Sequence, residues 1–433
     1  MQTLWFQARS CLRAGGACRW RPLSIKHFVL QALCLTGLAA ALSVQAQEQL
    51  TLKQAFDTAW ARQPDARGGE LRRVAAEARR DAAGNWLVAA PSFEASAKSD
   101  RANSDKGSRE YDVGVGLPLW LPGERSGAQA LADAESDALN SRLRAAQLRV
   151  AADVRDAWWS AVASSIEVDV ATARLRNAEQ LSADVARRVK AGDLSRADQH
   201  QAEGATAAAQ ALLAEAKSTQ VMASQRLRAL LGMPVRVSVD AAEKLPPTMA
   251  IQPLDEATHP ALREIADRAE AARKAKALAQ TQTRANPQLM LSGTRERGQY
   301  GETYDNSLTV GMRIPFGADN RQRARIVTAE AEALEAETRL EYEREQILAG
   351  LDAARARADA ARLQLDAAER RARLARETRG FYEKSFRFGE SDLPTRLRIE
   401  LEAYEAERQY ARSRVLAAQA VSQLRQAMGL LPE

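Results

Sequence analysis

The sequence predicts a mainly α-helical chain with a membrane-type β component, built from one helix–β-hairpin–helix-hairpin unit used twice. Three observations predict it: an internal repeat spanning most of the chain, four short segments of alternating polarity, and two very long stretches without proline.

The repeat organises the rest. At an offset of 197 residues, Gly114 maps onto Gly311, Pro118 onto Pro315, Gly192 onto Gly389, Leu227 onto Leu424 and Gly232 onto Gly429. Upstream the offset is 196, with Pro64 onto Pro260 and Pro91 onto Pro287. Glycine and proline mark chain reversals, so their registration predicts two copies of one supersecondary unit. A one-residue length change between strands explains the slip. The expected division is a first repeat over 47–234, a linker over 235–257 and a second repeat over 258–433.

Each unit opens with a helix, from about Pro64 to Ala89 and from Pro260 to Arg284, ended by Pro91 and Pro287. Strands follow at about 91–98 and 110–119, and at about 287–294 and 307–316. Tyr111, Val113, Val115, Leu117 and Leu119 alternate with polar or small residues, and Leu308, Val310, Met312, Ile314 and Phe316 repeat them. Strands of about ten residues with one apolar face suit a membrane β-barrel. Trp86, Trp120, Tyr111, Tyr300, Tyr304 and Phe316 lie near strand ends, where interfacial aromatics belong. Water-soluble hairpins packed on a core are the competing reading, but no other segment offers an apolar face to cover them. One chain supplies four strands, whereas a closed membrane barrel needs at least about eight. Sister copies must supply the rest, and the strand count leaves two or three chains open.

The long segments come next. Glu124 to Lys190 and residues 319–388 contain no proline, and each predicts roughly 100 Å of helix. Gly192 and Gly389 break the chain, and return helices run to Gly232 and Gly429, giving helical hairpins at about 124–231 and 319–429. Val154, Ala161, Val168 and Leu175 keep a seven-residue spacing, as do Leu143, Val150 and Ala157. Such spacing means knobs-into-holes contact between near-parallel helices. Two neighbouring stripes suit a helix flanked on both sides, as in a tube wall.

The first 46 residues predict a secretory signal peptide: a basic n-region without acids, an apolar run from Phe28 to Val44, and Val44-Gln45-Ala46 as a cleavage site. All three cysteines (Cys11, Cys18, Cys34) lie there, which excludes a disulfide framework from the rest. The segment also carries the excess charge. The whole sequence has net charge +6, but without it 57 basic residues face 56 acidic ones. Nucleic acid is therefore not an expected partner.

Chemistry is absent from the pattern. His200 and His259 have no His or Cys companion at ligand spacing, and the methionines are scattered. No nucleophile elbow, phosphate loop or cofactor fingerprint occurs. The expectation is no enzyme, no cofactor and no resident metal site.

Over about residues 48–433 the chain resembles the TolC-like outer-membrane efflux family. The resemblance rests on the duplication, on "LTLKQAFDTAWARQPD" (Leu50–Asp65), on "GVGLPLWLPGERSGA" (Gly114–Ala128) with its copy "TVGMRIPFGADNRQRA" (Thr309–Ala324), and on the turns "RRVKAGDLSRAD" (Arg187–Asp198) and "EKSFRFGESDLPTRLR" (Glu383–Arg398). The turn from Phe386 to Leu393 is similar to the heavy-metal (Czc- and Cus-type) branch. The resemblance implies a homotrimer in the outer membrane of a Gram-negative bacterium: one twelve-stranded barrel continuous with a periplasmic α-helical barrel. It further implies a periplasmic adaptor (membrane fusion protein) and an inner-membrane pump of the RND type, with heavy-metal cations as cargo. Gly192, Asp193, Leu194, Gly389, Glu390 and Ser391 then fall at adaptor-binding hairpin tips. Asp198, Gln201, Asp392, Thr395 and Arg398 fall at the tunnel entrance. Where some members carry acids six and nine positions past the second hairpin glycine, this chain has Thr395 and Arg398. Two alternatives stand beside this reading: a channel for drugs or secreted polypeptides, and a periplasmic coiled-coil scaffold or adhesin without a pore.

Overall fold

The computed structural model describes residues 50–239, 242–244, 258–316 and 320–433. The expected signal peptide and most of the expected linker lie outside the described residues. Described elements run α1 (Leu52–Arg62), α2 (Pro64–Gly84), β1 (Ser92–Ser99), β2 (Arg109–Pro118), α3 (Glu124–Ala191) and α4 (Arg196–Leu231), then α5 (Pro260–Thr281), β3 (Gln288–Arg297), β4 (Asp305–Arg313), α6 (Asn320–Arg387) and α7 (Leu393–Ala427). From α2 onward the second series repeats the first.

Local chemistry sets the boundaries. The short helix α1 was not anticipated from periodicity. Thr51 and Gln54 form a capping box at its start, and its face of Leu52, Ala55, Phe56 and Ala59 is buried. Helix α2 stops at Gly84, five residues before the expected end. Its last carbonyls are taken by side chains from around the start of α3: Trp120 Nε1 donates to the Asn85 carbonyl at 3.0 Å, and Arg125 donates to that of Gly84. Helix α5 likewise ends at Thr281 rather than Arg284.

The four strands form one antiparallel sheet in the order β1-β2-β3-β4, so the repeats join at β2 and β3. Registers carry the repeat to single-residue resolution. Phe93 opposes Val115, and their equivalents Leu289 and Met312 oppose each other. The one-residue slip therefore falls in the hairpin loops, where no pairing is disturbed.

Register also sorts the two faces, because side chains alternate along a strand. Phe93, Val113, Val115, Leu291, Leu308, Val310 and Met312 share one face and are exposed. Ser92, Gly116, Ser292 and Thr309 lie on the other. Among the described residues no element covers the apolar face.

Helix α3 is the spine. Its sheet-proximal half packs against α2 and α5, and its far half against α4 and α7; α6 packs against α5 and then α7. The seams are built from small residues seven apart. In α4, Ala202, Ala209, Ala216 and Ala223 are all buried; in α6, Ala354, Ala361 and Ala368 are. Alanine at this spacing lets near-parallel helices approach closely. One larger core lies mid-length, where Trp158 and Trp159 of α3 are sealed by α1, Leu227, Leu231 and Val415. There Trp159 Nε1 donates to Ser422 Oγ at 2.9 Å. Beside it, the buried Glu243 of the linker accepts two hydrogen bonds from Arg155, at 2.7 and 2.9 Å, and pairs with Arg425 at 3.2 Å. A buried carboxylate between two guanidiniums fastens this stretch of linker to helices of both repeats.

At the junction of sheet and helices, Glu124 plays a similar part. It is buried, accepts from the Leu121 amide at 2.9 Å, and binds Gln282 at 2.8 Å and Asn286 at 2.5 Å. The first residue of the first long helix thus holds the second repeat in place.

Candidate conduit and hairpin tips

Two regions carry candidate function: the polar face of the sheet, and the ends of the helical hairpins farthest from it.

The polar face becomes acidic toward the β-hairpin loops. Lys98, Glu110, Glu296 and Asp305 stand in one row across the four strands, as successive register partners. Lys98 pairs with Glu110 at 3.3 Å, leaving Glu296 and Asp305 opposite each other with no cation among the described residues within 4.0 Å. The next carboxylate inward, Asp112, accepts from Ser96 Oγ at 3.1 Å and Thr294 Oγ1 at 2.6 Å. Adding Glu94 and Arg313, this face of the strands holds five carboxylates against two cations. Like charges directly opposed on a sheet are destabilising unless something cationic intervenes.

At the tips, Gly192 and Gly389 both adopt positive φ, 88° and 77°. An added Cβ would meet nothing within 4 Å at either, so the turn needs glycine for its backbone and not for space. The closing bonds repeat as well: Asp193 N–H donates to the Arg188 carbonyl, and Glu390 N–H to that of Ser385, both at 2.9 Å. Asp193 and Glu390 are exposed, whereas Leu194 packs on a small core of Val185, Ala202, Phe386 and Leu393.

The expected entrance residues divide. Asp198 closes a capping box with Ser195, accepting from its amide at 3.0 Å and its hydroxyl at 2.7 Å. Asp392 caps α7, accepting from the Thr395 amide at 3.2 Å. Hydrogen bonding from Thr395 holds the Asp392 carboxyl below its ordinary value near 3.8. Gln201 and Arg398 are exposed, the latter paired with Glu402 at 2.7 Å. The site's acids are thus engaged in starting helices.

Contacts that join the two hairpins were not singled out from sequence. Arg188 of α3 reaches the end of α6 and donates to the carbonyls of Phe386 at 3.0 Å and Arg387 at 3.1 Å, with its guanidinium 4.8 Å from the Phe386 ring centre. A cation here also meets the negative end of a helix dipole. Arg396 is buried, bonded to Glu400 at 2.5 Å and to the Arg379 carbonyl at 2.9 Å. Burial pushes the Glu400 carboxyl up, against the pull of Arg396 and Arg379. The available signal was a basic residue in a helix's last turn, which is too common to single out Arg188.

His259 caps α5 through Nδ1, 3.4 Å from the Leu262 amide, and burial lowers its pKa. Among the described residues no group of three or more His, Cys, Asp or Glu is placed to hold a metal ion. None of the described helices is long and apolar enough to cross a membrane.

Residues 55–233 match the outer membrane efflux protein family. That match takes in the first repeat, from within α1 to the end of α4. Proteins of that family are non-enzymatic channels of the Gram-negative outer membrane that extend into the periplasm, and this chain shares the fold of such channels. Its fold is that of CusC, at 16% identity and a TM-score of 0.72 over 88% of this chain and 92% of that one. It is also that of the outer-membrane channel OprN, at 21% identity and 0.70 over 87% and 89%. VceC from Vibrio cholerae aligns at 18% identity and 0.70 over 88% and 97%. No curated protein sequence matches the chain. In a closed membrane barrel the apolar face of such a sheet meets lipid and the polar face lines the lumen.

Proposed function

We propose that this protein is the passive exit duct of a tripartite system, a homotrimer conducting heavy-metal cations. An RND-type pump and a periplasmic adaptor deliver the cargo to the hairpin tips around Gly192, Asp193 and Leu194, and around Gly389, Glu390 and Ser391. The observation that supports this reading is the row Glu110, Glu296 and Asp305 on the polar face of the sheet, which a homotrimer would repeat three times around a closed barrel. In a narrow, low-dielectric lumen such rings raise the local cation concentration and oppose anions. Carboxylate oxygens without a closed ligand set pass a metal ion on rather than hold it. The Phe386–Leu393 turn, similar to the heavy-metal branch, points the same way.

Two measurements test this. In planar bilayers under a salt gradient, the reversal potential is expected to report cation selectivity. Combined Glu110→Gln, Glu296→Gln and Asp305→Asn should bring it toward zero while conductance persists. A deletion strain is expected to become sensitive to heavy-metal salts and to keep its tolerance of dyes and detergents. Anion selectivity, or sensitivity to drugs alone, overturns the cation reading and supports a drug channel.

A further inference from the structure

The outer rim of the sheet carries a second charged row, on the opposite face from the acidic one. Arg109 and Arg297 are direct register partners, and Arg295 opposes Tyr111 two positions inward. All three share the face of Val113, Val115 and Leu291, so they stand on the lipid side, at the end nearest the β-hairpin loops. The sheet's other end joins the periplasmic helices, which places this rim at the outer leaflet.

Three features are unusual together. No carboxylate forms an ion pair within 4.0 Å of any of the three, although two of them directly oppose each other. Opposed like charges on a sheet cost stability unless a third group bridges them. Two of the guanidiniums are nonetheless held in place by aromatic rings: Arg295 lies 4.6 Å from the Tyr304 ring centre, and Arg297 lies 5.1 Å from Tyr304 and 5.7 Å from Tyr300, while Arg109 bonds to the Tyr111 side chain. Arg297 Nε also donates to the Gly107 carbonyl at 3.1 Å, and the Tyr300 hydroxyl donates to Asp105 at 2.9 Å. Tyr111 and Tyr304 contact each other at 6.4 Å. Stacked guanidiniums keep their N–H edges free and fixed in direction, which suits planar, multidentate capture of phosphate. Interfacial tyrosines set the depth at the headgroups. Loop acids Asp100 and Asp105 are engaged locally, by Lys106 N–H and Ser104 and by Tyr300.

We infer that Arg109, Arg295 and Arg297 form a phosphate-binding site on the lipid-facing rim, occupied by the phosphorylated headgroup of the outer-leaflet glycolipid. Three such sites surround the trimer. Each bound lipid cancels the opposed guanidinium charge and anchors the barrel in its leaflet. The inference concerns the outer surface only and is independent of what passes through the lumen.

The test uses the detergent-solubilised full assembly and native mass spectrometry, titrated with bis-phosphorylated lipid A, its dephosphorylated form, phosphatidylglycerol and inorganic phosphate. Bis-phosphorylated lipid A is expected to bind, more weakly as salt rises. Arg109→Gln, Arg295→Gln and Arg297→Gln together should weaken it by on the order of a hundredfold. The dephosphorylated lipid should bind unmodified protein as poorly as the intact lipid binds the variant. Equal binding of the variant or of the dephosphorylated lipid overturns the site. Phosphatidylglycerol binding as tightly, or inorganic phosphate displacing the lipid at equal concentration, overturns the glycolipid assignment. Should the triple variant fail to assemble, the phosphorylated and dephosphorylated lipids on unmodified protein decide the matter alone. Cation selectivity in bilayers is expected to survive Arg295→Lys, which separates failure here from failure of the duct reading.

Discussion

At the scale of residues, the tip acids act first on the backbone. Asp392 begins α7 by accepting from Thr395, so its charge is tied to local folding. Its pKa is held down in the fold. For a depressed carboxyl, the stabilisation is complete above the ordinary value near 3.8 and is lost as pH falls through the lower folded value. Asp392→Ala should therefore speed amide exchange of Thr395 and Arg396 at neutral pH, where Asp392→Asn should largely preserve protection. In the unmodified protein the protection should fade only in strong acid. Unchanged exchange in Asp392→Ala would show that the cap does not order the tip. Sequence placed Asp198 by counting from a glycine and Asp392 by its nearness to one, which locates a turn but not a side chain's partner. A step of three positions from an Asx or Ser to the next polar residue is also the spacing of a cap, and here the caps prevailed. Arg188 escaped notice because its partners across the hairpins are main-chain carbonyls, which carry no sequence signal, and Arg396 because an i,i+4 pair such as that with Glu400 is common along these helices.

At the scale of elements, the long helices were the most legible part, because absence of proline over more than sixty residues admits few alternatives. What hid was the packing partner. The buried alanines of α4 recur every seven residues, yet alanine is frequent throughout, so the stripe has little contrast against the exposed face. Its role follows from burial: Ala209 is fully buried where α4 meets α3. Ala209→Leu should overpack that seam and destabilise the hairpin by about 1–3 kcal/mol, whereas Ala208→Leu on the exposed side should be close to neutral. Urea midpoints followed by helical circular dichroism would compare the two. Equal midpoints would mean that the seam is loose enough to take a larger side chain. Helix α1 was missed for the opposite reason. Eleven residues give too few turns for periodicity to speak, and its stability comes from a capping box and from docking beside Trp158 and Trp159.

At the scale of the whole molecule, the repeat does more than describe one chain. Within it, β2 meets β3 across the boundary between repeats, and α3 meets α5 and α7. The equivalent faces of the second repeat, on β4 and α6, have no partner among the described residues; Val327 and Leu334 of α6 are exposed there, as are Leu71 and Val74 of α2. If a ring closes with quasi-equivalent joints, the junction between copies copies the junction between repeats. Shifting the β2–β3 register by the offsets of the two strand pairs gives a definite pairing of β4 with β1 of the neighbouring copy. Val310 falls opposite Ala97, Thr309 opposite Lys98 and Met312 opposite Ala95. Cysteines at Val310 and Ala97, or at Thr309 and Lys98, should therefore form disulfide-linked dimers and trimers in outer membranes, since directly opposed strand residues lie about 4.5–5.5 Å apart. Val310→Cys with Ala95→Cys, two residues out of register, should remain monomeric on a denaturing gel. The four strands and their number were legible in sequence, but this seam was not, because hydrophobic alternation fixes a face and leaves the register free to slide by two. Cross-linking of the out-of-register pair in preference to the others would show that the copies meet differently from the repeats, and with it the quasi-equivalent tube would be lost.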